Sequence, residues 1–482
     1  MQFFAGEEIF HGQGYTGWAS HFWPPLYSIL IGFLSNFTSG FFAGKIIAFT
    51  SVSIILYLVF QISLQLFDDK KIGLLAQIFL MINPLLFISA MQVENNLLEA
   101  MFFIFTIFLF FKAIDQPKYR NFFITGIVIG FACLTRYTSF ILIPALILTL
   151  LIKFENKFAI QFVSIILIGF GLISAPWFYY NAIINGNPLD TFQYLNIGYG
   201  VFGDDKWWWS TQSNFTNVMD IIAYNPSKYF DHFLNNLIVS IIELIKGMGI
   251  LAPIAVIAIP SSFYYLKSQH KITLIVIFSL FLLGICQAFV PLESFLAWVF
   301  ILTIVTVFIL NEATKNLSKS NYKTIFLILI FSMGFIYCSI NVSGYLNGQS
   351  SDGGQLDESE QVAKFLIGYD SEISNKYIMC VHPTRSYYAH AKYLMIPLYY
   401  EGDLSGLVSY NGISDRVKYS IPKYPSLDVD PNLRADYLIY DKSAQSALPQ
   451  FSYLFDENST QIPKNFVLIY KSQSVVVYKI NH

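Results

Sequence analysis

The sequence predicts an α-helical polytopic membrane protein that ends in a small extracytoplasmic α/β domain. Three observations predict it. Of 482 residues, 55% are hydrophobic and 18% aromatic while only 12% are charged, far from the composition of a soluble globular chain. Apolar runs approaching the 20 or so residues that cross a bilayer recur through residues 1–343. Near residue 344 the composition turns abruptly to "GQSSDGGQLDESEQ", and short strand-like runs follow. The lipid bilayer is thus a partner, and a net charge of -2 with no basic stripe excludes nucleic acid.

The first element follows Pro24 and Pro25. Proline cannot sit inside a helix but can open one, so "PPLYSILIGFL" reads as a short helix. It is aromatic at its start, as suits a segment lying along the outer headgroups. Residues 1–42 therefore read as interfacial. Ten spans follow, near 43–66, 72–90, 97–113, 121–135, 138–152, 158–177, 238–265, 272–290, 293–310 and 323–342.

The connections between spans carry the orientation. Those holding Lys70 and Lys71, Lys112, Lys118 and Arg120, Lys153 and Lys157, Lys267 and Lys271, and Lys315, Lys319 and Lys323 alternate with connections nearly free of Lys and Arg. By the positive-inside rule the basic set is cytoplasmic. The segment before residue 43, the loop 178–237 and everything beyond 343 then lie outside, in a multi-pass cell-membrane protein. A chain whose first residue is already outside, with no signal peptide, is expected to follow a further helix upstream of Met1. The alternative is unaided translocation of a short tail.

Residues 344–482 read as the soluble α/β domain. Helical patterns near 357–368 and 444–456 alternate with the strand-like runs "KYIMCV", "ADYLIYD", "NFVLIYK" and "SVVVYKI". Cys133, Cys286 and Cys338 fall in apolar segments, and Cys380 in a strand-like run, so the four cysteines suggest packing rather than a disulfide framework or metal cluster.

Candidate functional residues are the polar groups this apolar chain does not need for solubility. In "ISAMQVENNLLEAMFF", Glu94 lies at an external turn, where a persistent ionisable group faces a cavity and a partner; the plainer reading is a solvated loop carboxylate. Glu99 falls on a different side of the following helix. Arg136, in "LTRYT" at another external turn, is a candidate anion ligand or a snorkelling arginine. His21 beside Trp23 can meet an anionic headgroup or simply water.

These segments resemble the GT-C membrane glycosyltransferases of the protein O-mannosyltransferase and aminoarabinose-transferase kind. The resemblance covers roughly residues 4–190 and rests on the ordered set "EEIFHGQGY", "PPLYSILIGFL", "INPLLFISAMQVENNLLEAMFF", "GIVIGFACLTRYTSFILIPALIL" and "SAPWFYYNAIINGNPL". It implies a GT-C-like bundle and inverting transfer of a sugar from a polyprenyl-phosphate donor to a protein, lipid or glycan acceptor at the outer membrane face. Arg136 would stabilise the phosphate leaving group, with His21, Tyr27 and Asn181 as further substrate-binding residues. Such transfer needs a carboxylate base. In this family that base is an Asp ahead of the glycine matched by Gly12, which in this chain would fall upstream of Met1. Glu7 and Glu8 are the acids left in that loop, and Glu94 matches the family's second external-loop acid.

The lipid-linked sugar is the one bound group this resemblance implies, and no cofactor follows from it. A divalent metal finds weak support in "DDKWWWSTQ", since Asp204 and Asp205 lack His or further spaced carboxylates beside them. The main rival class is a transporter, but charges cluster at helix ends and the halves do not repeat. A catalytically inactive relative is the second alternative.

Overall fold

Proline and asparagine set several helix boundaries in the computed structural model, which describes residues 24–185, 188–189, 193–202, 215, 217–288, 290–315, 320–381, 384–396, 400, 402–409 and 434–482. Helix α1, Leu26–Ser35, starts after the proline pair as expected. Helix α2, Gly40–Phe67, is capped by the Ser39 side chain, which accepts from Phe42 N. Then come α3, Lys70–Met81, and α4, Pro84–Met91. Four further helices are α5, Asn96–Asp115, α6, Tyr119–Thr135, α7, Leu142–Lys153, and α8, Asn156–Asn185. A 3-10 turn, Tyr137–Ile141, joins α6 to α7.

The expected span at 72–90 is two helices bent by 58°. Pro84 cannot continue α3, and Asn83 caps the new helix, its Oδ1 accepting from Leu85 N and Leu86 N. The expected loop 178–237 is largely helical where it is described. After α8 come α9, Gln193–Phe202, α10, Val218–Tyr224, and α11, Pro226–Gly247. The expected span at 238–265 therefore begins earlier, and it breaks by 111° before α12, Ala252–Tyr265. Gly249 lies at that break with a φ of +57°, a left-handed conformation that glycine adopts without steric penalty.

Helices α13, Ser268–Ile285, α14, Leu296–Lys315, and α15, Ser320–Tyr369, complete the helical series. The last runs through the polar stretch at 344 instead of ending before it. Among the described residues five helices are long and apolar enough to cross a membrane, or up to seven if each bent pair is one span. The remaining expected spans coincide with the shorter apolar helices Tyr119–Thr135, Tyr137–Lys153 and Gln269–Ile285.

The chain divides into two compact units. The first comprises Met1–Val201 and Ile221–Tyr345. Its core is a continuous apolar cluster running from Tyr27 to Leu310. One seam in it, between α6 and α8, is held by small residues: a Cβ on Gly126 would lie 2.1 Å from Ile166 O, and one on Gly169 2.3 Å from Phe123 O. Backbones this close gain packing that lipid cannot supply, which is how helices associate in membranes. The seam lies within α6, the helix that Arg136 directly follows.

The second unit comprises Phe202–Asp220 and Leu346–His482. Its strands are β1, Tyr377–Cys380, β2, Lys392–Met395, β3, Tyr437–Asp441, β4, Phe466–Lys471, and β5, Val475–Ile480. They form one sheet in the order β2-β1-β3-β5-β4. The β1 strand pairs in parallel with β2 and β3, while β5 runs antiparallel to β3 and β4. Strand β2, four residues long, was not expected. The expected helix at 444–456 is a short helix, Lys442–Ala447, and a 3-10 turn from Pro449, the residue that ends it. A buried ion pair between Arg385 and Asp441 ties the segment after β1 to the end of β3. All four cysteines are buried free thiols.

Candidate functional site

Glu94 lies in the turn between α4 and α5, outside the spanning helices, and its side chain is exposed. The turn is held from several sides. The Lys45 ammonium on α2 donates to Met91 O. A Cβ on Gly44 would overlap the Val93 side chain, so α2 passes directly against the turn. Asn95 Nδ2 donates to Thr135 O at 3.1 Å, pinning the start of α5 to the end of α6.

That pin brings Arg136 to the acids of α5. Its Nε lies 3.3 Å from Glu99 Oε2, with side-chain exposures of 24% and 12%. Its Nη1 donates to Asn96 Oδ1. Asn96 Nδ2 donates in turn to Glu94 Oε2 at 2.5 Å. Glu99 also accepts from the Thr138 hydroxyl and from Ser139 Oγ, the latter at 3.1 Å. Arg136 is therefore held in a network at the bundle end. Its Nη2 has no partner among the described residues, which leaves two N–H donors for a ligand.

The Glu94 carboxyl holds its proton more tightly than an ordinary glutamate. Crowding by its neighbours raises the pKa first, repulsion from Glu293 raises it further, and Arg136 pulls it back. Glu94 is at once exposed and desolvated: one side of the carboxyl reaches water while protein crowds the other. The surface exposure decides what can reach it, and the crowding decides its affinity for a proton. Glu293 precedes α14 in the 3-10 turn Leu292–Phe295. The Tyr27 phenol on α1 is 1% exposed, has no hydrogen-bond partner, and feels the Glu94 charge.

Next to Arg136, Tyr137 Oη accepts from Trp177 Nε1 at 3.2 Å and is hydrogen-bonded by Asn181. Asn181 is 1% exposed, and its Oδ1 has no partner. The structure thus gathers four of the residues singled out in the sequence around the α5 and α6 ends: Glu94 and Arg136 share one hydrogen-bond network, Tyr27 feels the Glu94 charge, and Asn181 bonds the residue after Arg136. Glu7, Glu8, His21, Asp204 and Asp205 lie outside the described residues.

Sequence reasoning missed Lys45, Asn96 and Glu293. Lys45 and Glu293 carried a usable signal, each a lone charge in an apolar run, "FFAGKIIAF" and "PLESFLAW". Asn96 carried none beyond its adjacency to Glu94. Among the described residues no group of three or more His, Cys, Asp or Glu is placed to hold a metal ion. Glu94 and Glu293 offer two carboxylates, fewer than a dedicated cage for a hard divalent ion requires.

Comparison with known proteins adds to this geometry. Residues 23–180 match the family described as dolichyl-phosphate-mannose-protein mannosyltransferase. No curated protein matches the sequence. Among solved structures, the chain is similar to ArnT from Cupriavidus metallidurans bound to undecaprenyl phosphate, with a TM-score of 0.62 and 9% identity over 99% of this chain and 92% of that one. The apo state of the same protein matches with a TM-score of 0.56 over the same shares. The archaeal oligosaccharyltransferase AglB from Archaeoglobus fulgidus, in complex with an inhibitory peptide and a dolichol-phosphate, matches at 0.53 with 12% identity, over 93% of this chain and 66% of that one. At such identities the likeness is one of fold.

Proposed function

We propose that this chain, whose fold is similar to that of ArnT and whose residues 23–180 match the dolichyl-phosphate-mannose-protein mannosyltransferase family, is a GT-C membrane glycosyltransferase that transfers a sugar, with inversion, from a polyprenyl-phosphate donor to a protein, lipid or glycan acceptor at the extracytoplasmic face. One observation carries the reading: an exposed, desolvated carboxylate, Glu94, is joined through Asn96 to an arginine that keeps free donors. Inverting transfer needs these two kinds of group at one place.

The acceptor hydroxyl or amine forms a bond to the anomeric carbon from one face, and the bond from that carbon to the phosphate oxygen breaks on the other. The electron pair leaves with the polyprenyl phosphate, and the acceptor proton passes to a carboxylate. Arg136 Nη2 meets the growing charge on the phosphate. Glu94 orients the acceptor group, and its raised proton affinity suits it to holding that proton. An isoprenoid tail stays in the bilayer beside the apolar helices while its phosphate reaches this end of the bundle. The acids Glu94, Glu99 and Glu293 and the cations Arg136 and Lys45, with Glu99 already paired to Arg136, are the charges the donor would meet.

The test is turnover of a panel of radiolabelled polyprenyl-phosphate sugars by membranes in which the protein is expressed from its own locus, beside an Arg136→Ala strain. Label is expected to leave one donor for an acceptor, and the variant is expected to need on the order of tenfold more donor, about the effect of one lost charge-assisted hydrogen bond. If no donor in a panel broad enough to hold the native sugar is turned over by an expressed protein, the reading is wrong.

A further inference from the structure

The Asn96 amide works in both directions. Nδ2 donates to the Glu94 carboxyl at 2.5 Å, and Oδ1 accepts from Arg136 Nη1. The carboxamide offers a donor and an acceptor on the two atoms bonded to one planar carbon. The residue is 9% exposed and lies in the first turn of α5. Its neighbour Asn95 pins that turn to the end of α6, so the backbones on both sides are fixed. The separation of carboxyl and guanidinium is then set by the Asn96 side chain.

We propose that Asn96 is a positioning residue that couples the acceptor-side carboxylate Glu94 to the phosphate-side Arg136, holding the two at a fixed separation without letting them pair. The inference rests on the roles given to Glu94 and Arg136 above. A direct Glu94–Arg136 contact would commit both charges to each other. An amide between them keeps the carboxylate open to an acceptor and leaves Arg136 Nη2 open to a phosphate. The arrangement also biases protonation: an N–H donated to a carboxylate favours its charged form, opposing the crowding and the Glu293 repulsion that favour the neutral one.

The charged and titratable groups around Glu94 come from four elements. Glu293 lies ahead of α14, Arg136 after α6, Tyr27 on α1, and Glu99, itself paired to Arg136, on α5. Lys45 on α2 binds the backbone three residues earlier.

Asn96→Asp and Asn96→Ser separate positioning from bulk. Aspartate keeps a partner for Arg136 but removes the donor to Glu94 and adds a like charge beside it. Ionised Glu94 becomes harder to form, so the acid limb of the kcat/KM profile is expected to move to higher pH, with much of the rate recovered above the shifted limb. The donor KM is expected to rise about tenfold, because Arg136 is now drawn into a full ion pair. Serine, which keeps one donor and one acceptor at shorter reach, is expected to shift the limb less than aspartate. Thermal midpoints in detergent show that each variant is folded. Folded variants that lose activity equally at every pH, with donor KM unchanged, would overturn the coupling and leave Asn96 a structural residue. Were transfer by the unaltered protein indifferent to Glu94→Gln and Arg136→Ala, the functional reading itself would fail instead.

Discussion

Glu94 illustrates how a crowded carboxyl in the candidate site costs stability. Its carboxyl pKa is raised in the folded protein by crowding and by Glu293, so the folded state binds its proton more tightly than the unfolded chain does. That contribution favours folding fully below the unfolded pKa and is lost as pH rises through the folded one. Above the folded pKa the ionised side chain therefore opposes folding, and Glu94→Gln is expected to raise the thermal midpoint at pH 8, with the gain shrinking towards pH 4. A lower midpoint for the variant at pH 8 would mean that the charged form holds the Asn96–Arg136 network together. At this scale much of the site was legible. Glu94 and Arg136 stand out because charges in apolar sequence need a reason. That Asn96 and Glu99 hold Arg136 was not legible, since they meet it only after α5 and α6 pack side by side.

Among elements, the seam between α6 and α8 packs the helix that Arg136 directly follows. Gly126 and Gly130 are four apart in "GIVIG", on one helix face, and Gly126 meets the backbone of α8 directly. Gly126→Val is expected to force the helices apart, lowering stability by about 1–3 kcal/mol, as overpacking does. It should also raise the donor KM, because the α6 end would move away from α5. Thermal unfolding in detergent and donor titration check the two effects; a variant as stable as the parent would show that the seam is looser than its backbone spacing. The helix starts at Pro84 and Pro226 obey local proline and asparagine chemistry, but a reading by hydropathy ran one span through the first and a loop past the second. The 111° bend at Gly249 escaped the hydropathy reading, although Gly247, Gly249 and Pro253 punctuate that run, because the apolar sequence continues across the break. The short strand β2 was hidden for a related reason: its place in the sheet comes from pairing with β1 along its whole length, Tyr377 to Lys392 through Cys380 to Met395, and not from its own pattern.

At the level of the whole molecule, hydropathy and turn chemistry revealed a multi-pass membrane protein with a sheet-bearing soluble unit, since both are properties of composition and period. The Lys and Arg asymmetry of the connections predicts the sidedness, with the sheet-bearing unit outside. A C-terminal alkaline phosphatase fusion, active only outside the cytoplasm, is expected to be active, and a fusion after Lys153 inactive; the reverse pattern would invert the orientation and move the Glu94 end to the wrong face for the proposed reaction. The proposed sugar transfer takes place at the end of the bundle where Glu94, Asn96 and Arg136 meet. The most direct measurement is transfer of label from the accepted polyprenyl-phosphate sugar by the unaltered protein and by Glu94→Gln, at matched amounts in the membrane. A fall of about a hundredfold or more, the scale of a lost acid–base group, is the expected result. Transfer by Glu94→Gln at the parent rate would contradict it and place the chemistry elsewhere in the molecule.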